Sequence, residues 1–87
     1  MFVILVYDTA AERNPKVLKA CRRYLHWTQR SVFQGELSGS QYRALMAALD
    51  GVIDRTYDSV VTYTVRSAEL VETDTLGVAL GGPGDIL

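Results

Sequence analysis

Asp8 stands directly after an apolar run, Phe2-Val3-Ile4-Leu5-Val6-Tyr7. A carboxylate at the end of a strand can close an Asx-type turn, or it can hold a hard cation. Magnesium commonly takes one or two protein carboxylates and completes its shell with waters and substrate phosphate oxygens. One carboxylate per chain is too few for an all-protein cage. Two copies meeting near a two-fold axis would supply two, which suits metal-assisted phosphodiester hydrolysis. Downstream, the span Arg13 to Arg30 holds six of the nine basic residues and no acid: Arg13, Lys16, Lys19, Arg22, Arg23 and Arg30. The run Ser31-Val32-Phe33-Gln34-Gly35-Glu36-Leu37 follows. In that order, these three features suggest a nucleic-acid-processing protein that works as a dimer.

Other chemistries find little support. His26 is the single histidine, on what reads as the polar side of a helix, and Cys21 is the single cysteine, so neither an internal disulfide nor a cysteine metal cluster can form. No Gly-x-Ser-x-Gly elbow frames any serine. No Walker loop and no Gly-x-Gly-x-x-Gly is present. The aromatic signature strands of RNA-recognition sheets are not visible, so Tyr7, Trp27, Phe33 and Tyr63 read as core or interface residues.

The elements that must carry these residues follow from patterning. Phe2–Tyr7 is of strand length, rich in β-branched residues and apolar on both faces, so both faces need cover. Asn14 reads as an N-cap and Pro15 as the first helical residue. Val17, Leu18, Cys21, Tyr24 and Leu25 share one helical face, and the basic residues point largely elsewhere; the spacing predicts a helix ending near Trp27. Residues 28–37 read as extended, as one bent strand or a short hairpin, with Gly35 marking a bulge, bend or tight turn. Ser38 and Gln41 form a capping box before a second helix that buries Tyr42, Leu45, Met46 and Leu49 and stops at Gly51. Asp58–Val65 alternates, with Val61, Tyr63 and Val65 on one face and Val60, Thr62 and Thr64 on the other. Glu69–Val78 has room for one more short strand before Gly81-Gly82-Pro83-Gly84 breaks regular structure.

Strand, helix, extended pair, helix, strand is the ferredoxin-like α+β order, βαββαβ. The reading divides the chain into a domain over 1–66 and an extension over 67–87 with a short strand and a tail. Two helices cover only one face of such a sheet. The simplest cover for the other is the same face of a second copy, giving a two-fold homodimer.

Composition sets outer bounds. With 87 residues the chain makes one small core, and a hydrophobic content of 48% excludes a disordered tail. No apolar run approaches the roughly 20 residues of a membrane span, and the first strand lacks the basic flank and small-residue cleavage site of a signal peptide. A cytoplasmic protein is the expectation. Net charge is −1, so any attraction to nucleic acid depends on the local basic segment, which otherwise makes an ordinary solvated face.

With these residues in view, the chain resembles the small CRISPR-associated adaptation endonuclease family, the second of the two core Cas adaptation proteins. The resemblance covers nearly the whole chain. It rests on Val6-Tyr7-Asp8, on Asn14-Pro15-Lys16-Val17 opening a basic helix, on Gln29-Arg30 running into Ser31–Leu37, and on the tail Leu76-Gly77-Val78 with Asp85-Ile86-Leu87. It implies a ferredoxin-like homodimer that joins a larger adaptation integrase in spacer acquisition. It also implies magnesium-dependent cleavage of single-stranded RNA or duplex DNA in some members. The family's metal-binding aspartate then falls on Asp8, its neighbouring tyrosine on Tyr7, its second-motif Ser and Phe on Ser31 and Phe33, and its basic helix-start residues near Arg13 and Lys16. Arg13, Lys16, Arg22, Arg23 and Arg30 become candidates for phosphate contacts, which position a substrate without reading its sequence.

Two rival readings accompany the nuclease. In one, the dimer is a non-catalytic DNA-binding adaptor that bridges integrase subunits, with Ser67–Leu87 docking the partner, for example by adding a strand to a sheet edge. In the other, the chain is a toxin-like endoribonuclease of similar fold.

Overall fold

The computed structural model describes residues 1–78. The elements run β1 (Phe2–Asp8), α1 (Asn14–Arg22), β2 (His26–Gln29), β3 (Val32–Glu36), α2 (Gly39–Asp50) and β4 (Ser59–Val65), followed by a 3-10 turn at Ala68–Leu70. The strands form one sheet in the order β2-β3-β1-β4, with every neighbouring pair antiparallel. This is the ferredoxin-like arrangement expected from the element order.

β1 occupies an interior position because its apolar side chains serve two faces. Val3, Leu5 and Tyr7 join Val17, Ala20, Cys21 and Leu25 around α1, Leu45 and Leu49 of α2, and Phe33 of β3 in a single core. The alternate residues Ile4, Val6 and Asp8 point the other way, and β4 sets Tyr63, Val61 and Ser59 opposite them. That second face is open: Val6 is 37% exposed, Val61 42% and Tyr63 61%. β4 alternates as the sequence predicts, and on its helix side the Thr62 hydroxyl meets the Tyr42 hydroxyl at 2.8 Å.

α2 begins as expected. Ser38 accepts the Gln41 amide at 3.1 Å, and Gln41 Oε1 accepts the Ser38 amide at 2.9 Å. Gly51 is the C-cap residue, at φ −75, so the helix stops there without a left-handed residue.

α1 departs from the reading in two ways. Arg13 is the N-cap residue and makes no capping bond, and Asn14 is already helical with Pro15 in the first turn. The helix also stops at Arg22 rather than near Trp27. The chain tightens through Arg23, Tyr24 and Leu25, whose amides bond Ala20 and Cys21 carbonyls. From His26 onward the backbone pairs with β3 instead, so His26 lies on a strand.

Residues 26–36 are a hairpin around Arg30 and Ser31, which settles the open choice between hairpin and bent strand. Gly35 is not the irregular point; the register shift lies between Trp27 and Gln29. Gly35 sits beneath the end of α1, where a Cβ would stand 3.2 Å from Leu25 Cδ2 and 3.5 Å from Leu25 Cα.

The further strand expected within Glu69–Val78 does not form in the single chain. Ser67 starts a 3-10 turn, no regular structure follows through Val78, and Leu70, Leu76 and Val78 are exposed among the described residues. The turn expected at Gly81–Gly84 and the closing Asp85-Ile86-Leu87 lie outside the described residues. Among the described residues no helix is long and apolar enough to cross a membrane.

Candidate nucleic-acid and metal site

Strand alternation sends Tyr7 and Asp8 to opposite faces. Asp8, the last residue of β1, is exposed on the open face and lies in register with Ser59 of β4. Tyr7 is buried on the helix side, its ring 6.3 Å from that of Phe33 and inclined 29° to it. Burial pushes the Tyr7 phenol above its ordinary value, with the Ser31 side chain and the Arg22 charge pulling the other way and Cys21 adding to the rise. Tyr7 therefore stays protonated at neutral pH. It supports the strand end from below and does not share a reacting atom with Asp8.

The β2–β3 turn reaches the same end of the sheet, because the Ser31 carbonyl accepts the Tyr7 amide at 3.1 Å. Arg30 is exposed at that turn with φ 43, and the Trp27 indole N–H donates to its carbonyl at 2.9 Å. Asp8, Arg30 and Ser31 thus gather at one end. Phe33 does not join them: it registers with Leu5 and is fully buried. Its place among nucleic-acid contacts is corrected to the core, since a side chain enclosed on every side touches no substrate.

Lys16, Lys19, Arg22 and Arg23 lie along α1 and its end, and all four are exposed. Lys19, Arg22 and Arg23 border a shallow depression with Pro15 and Leu18, and the Arg23 guanidinium lies 5.9 Å from the Tyr24 ring centroid. Arg13 is different. Its Nε and Nη2 reach Asp58 at 2.5 and 3.1 Å, and Nη1 reaches Glu12 at 3.5 Å. The expected phosphate contact by Arg13 gives way to an internal ion pair, because the guanidinium fork is already taken.

Asp58 is the residue the sequence reading missed. Its carboxylate also accepts the Ala10 amide at 2.9 Å and the Asp54 amide at 2.8 Å, and its side chain is 0% exposed. The Arg13 bond, with help from the two amides and the Arg13 charge, holds the carboxyl well below the usual carboxylate range against the opposing effect of burial. No local pattern marks this role; Arg13 and Ala10 lie 45 and 48 residues away in sequence.

For a metal, the donors at this end are oxygens, which suits a hard cation such as magnesium. They are few: among the described residues, nowhere do three or more His, Cys, Asp or Glu side chains gather. Asp8 fits a metal only as one half of a site completed by a second copy.

Comparison with known proteins bears on the fold and the family. Residues 1–73 match the family model of CRISPR associated protein Cas2. A protein of Frankia alni named CRISPR-associated endoribonuclease Cas2 is 63% identical over 87 residues, covering 100% of both chains. One of the same name from Thermotoga maritima is 43% identical over 86 residues, covering 99% of both. Among solved structures, a Cas2 crystal structure superposes with a TM-score of 0.84 at 37% identity, covering 91% of this chain and 88% of the other. Streptococcus pyogenes Cas2 gives 0.78 at 28% identity, covering 88% and 100%. An uncovered sheet face ending in an exposed aspartate, on a ferredoxin-like chain with a basic first helix, is thus that of a member of the CRISPR-associated Cas2 family.

Proposed function

We propose that the chain acts as a two-fold homodimer that hydrolyses phosphodiester bonds of RNA or DNA with magnesium held between the two Asp8 carboxylates. In this reading it takes part in spacer acquisition beside the larger adaptation integrase. One observation carries the proposal: Asp8 projects from the same apolar face that lacks cover. Covering that face with a second copy would answer both the exposed apolar surface and the shortage of ligands. The names of the relatives, endoribonucleases, support the nuclease half.

When bound, magnesium supplies an activated water and neutralises charge developing on the phosphoryl oxygens. Asp8 holds it from either chain. Arg30, at the same end as Asp8, and Lys16, Arg22 and Arg23 of the basic segment draw in the polyanion and position it through its phosphates. The Ser31 side chain bonds the Tyr7 phenol and so helps to hold the turn against the strand end. Tyr7 works through packing, keeping the end of β1 in place over Phe33.

The test is cleavage of labelled single-stranded RNA and duplex DNA, with magnesium and with chelator, by wild type and Asp8→Ala. Magnesium-dependent cutting by wild type alone is expected. Equal cutting by both proteins removes Asp8 from the chemistry.

A second reading, the non-catalytic DNA-binding adaptor, is favoured by the exposed Leu70, Leu76 and Val78, apolar side chains that suit docking. It predicts DNA binding without cleavage, and loss of integrase binding on truncation after Arg66. Retained binding by the truncated chain counts against it.

A further inference from the structure

The reaction as described leaves one built feature unused: the Asp58 carboxylate with Arg13, Ala10 and Asp54 around it. We propose that Asp58 is the positioning residue for Asp8, gripping the peptide that leaves Asp8 and adjoining the strand residue that faces it. The inference rests on the nuclease reading and adds a residue to it.

Asp58 directly precedes Ser59, which lies in register with Asp8. Its Oδ1 accepts the amide of Ala10, two residues beyond Asp8, and Nη2 of Arg13; its Oδ2 accepts Nε of Arg13 and the Asp54 amide. These donors fill the lone-pair positions a carboxylate offers. The same loop is tied again where the Thr9 hydroxyl meets Asn14 Oδ1, and Arg13 Cζ lies 5.9 Å from the Tyr57 ring centroid. The peptide leaving Asp8 and the strand facing Asp8 therefore converge on one enclosed group.

A buried ion pair is a poor device for stability, because removing both charges from water costs about what their attraction returns. Its worth here is geometric. A ligand that shares a cation with a second copy must be held to within about 0.5 Å, and Asp8 sits at a strand end, where the backbone would otherwise be free to swing.

The experiment compares Asp58→Asn and Arg13→Lys with wild type in the full chain. Asparagine keeps the shape, loses the charge and turns an N–H₂ toward a donor. Lysine keeps the charge and loses the fork. Three quantities are read: amide exchange at Ala10 by NMR, the cleavage rate constant with the magnesium needed for half-maximal rate, and Tm. A core variant, Leu45→Val, serves as a stability control.

In Asp58→Asn, Ala10 loses protection while Val3 and Leu5 keep theirs. The rate constant falls about 10- to 100-fold, the range for residues that orient a metal ligand, the magnesium requirement rises, and KM for nucleic acid stays unchanged. Arg13→Lys falls between, and it decides the matter alone if Asp58→Asn does not fold. Leu45→Val keeps the wild-type rate and magnesium requirement. The proposal is overturned if Ala10 loses protection while rate and magnesium dependence stay as in wild type. It is equally overturned if Leu45→Val loses as much activity, since the effect would then be one of stability. A wild type without magnesium-dependent cutting would remove the nuclease reading and the positioning role with it, whatever Ala10 shows.

Discussion

Gly35 stands where the end of α1 presses on the sheet, and replacing it measures how tightly that helix is seated. In Gly35→Ala the new methyl lies 3.2 Å from Leu25 Cδ2, 3.5 Å from Leu25 Cα and 3.7 Å from the Tyr24 carbonyl oxygen. Only the first contact is tight, and it involves the tip of a side chain that can yield by a few tenths of an ångström. Alanine also recovers about 0.5–1 kcal/mol of the entropy that glycine loses in a strand. The variant should therefore stay within about 1 kcal/mol of wild type, a Tm change of no more than about 4–8 °C for a domain of this size. Gly35→Val extends about 1.5 Å further, into the Leu25 side chain and toward the backbone of Leu25 and Tyr24 behind it. Overpacking of this kind costs about 1–3 kcal/mol, and a loss near the middle of that range lowers Tm by about 8–16 °C. Thermal unfolding followed by circular dichroism reads both variants, at one protein concentration because association shifts Tm. The double variant Gly35→Val, Leu25→Ala supplies the decisive arm. Leu25→Ala alone costs about 2–5 kcal/mol, and in the pair the new valine fills part of the vacated space, so the double should cost about 1 kcal/mol less than the sum. A Gly35→Val protein as stable as wild type, or strict additivity in the double variant, would refute the close approach as the reason for glycine here.

Three more outcomes follow from the structure. The Asp58 carboxyl is held below its ordinary range in the fold, so its stabilising effect is complete at neutral pH and drains as pH falls below the unfolded value of about 3.9. Acid unfolding curves of wild type and Asp58→Asn should differ above that value and converge below it; a constant offset would contradict the assignment. Burial pushes the Cys21 thiol up to about 11, so a thiol reagent at about pH 8 should leave the folded protein unlabelled and react after guanidinium unfolding; rapid labelling of the native protein would refute the buried placement. On the dimer reading, Val61→Glu or Tyr63→Lys sets a charge into the covered face, where an unpaired charge is costly. Light scattering should then report a monomer with the far-ultraviolet spectrum retained, and an unchanged mass would locate the dimer contact elsewhere.

How much the sequence tells depends on how local each signal is. The capping box at Ser38 and Gln41, the alternation from Ser59 to Val65 and the two-faced run of β1 are each written within a few residues, and each has the predicted form. The end of α1 is not local. Cys21, Tyr24 and Leu25 keep helical spacing past Arg22, and only the partner strand β3 draws residues 26–29 out of that pattern. The tail strand is absent from the described residues for a related reason: its apolar residues pair with neither free edge of the sheet, and a run of apolar residues alone does not set that pairing. In the candidate site, the place of Asp8 at an exposed strand end is legible because an acid after an apolar strand is conspicuous. The Arg13–Asp58 pairing is not legible locally, because it joins segments 45 residues apart and nothing in either neighbourhood announces it. Phe33 was placed with the nucleic-acid contacts through its motif, whereas its register opposite Leu5 sends it inward.

Arg30 at φ 43 holds a backbone shape that non-glycine residues adopt at a cost of order 1 kcal/mol, and the Trp27 indole N–H donates to its carbonyl at 2.9 Å. Asparagine or glycine would sit there more comfortably. A directed-evolution campaign that rewards heat tolerance alone would therefore drift toward those residues and discard the cation at the turn that reaches the Asp8 end of the sheet. On the phosphate-contact reading of Arg30, selection for a tougher fold runs against selection for nucleic-acid binding, and the two pressures meet at a single turn.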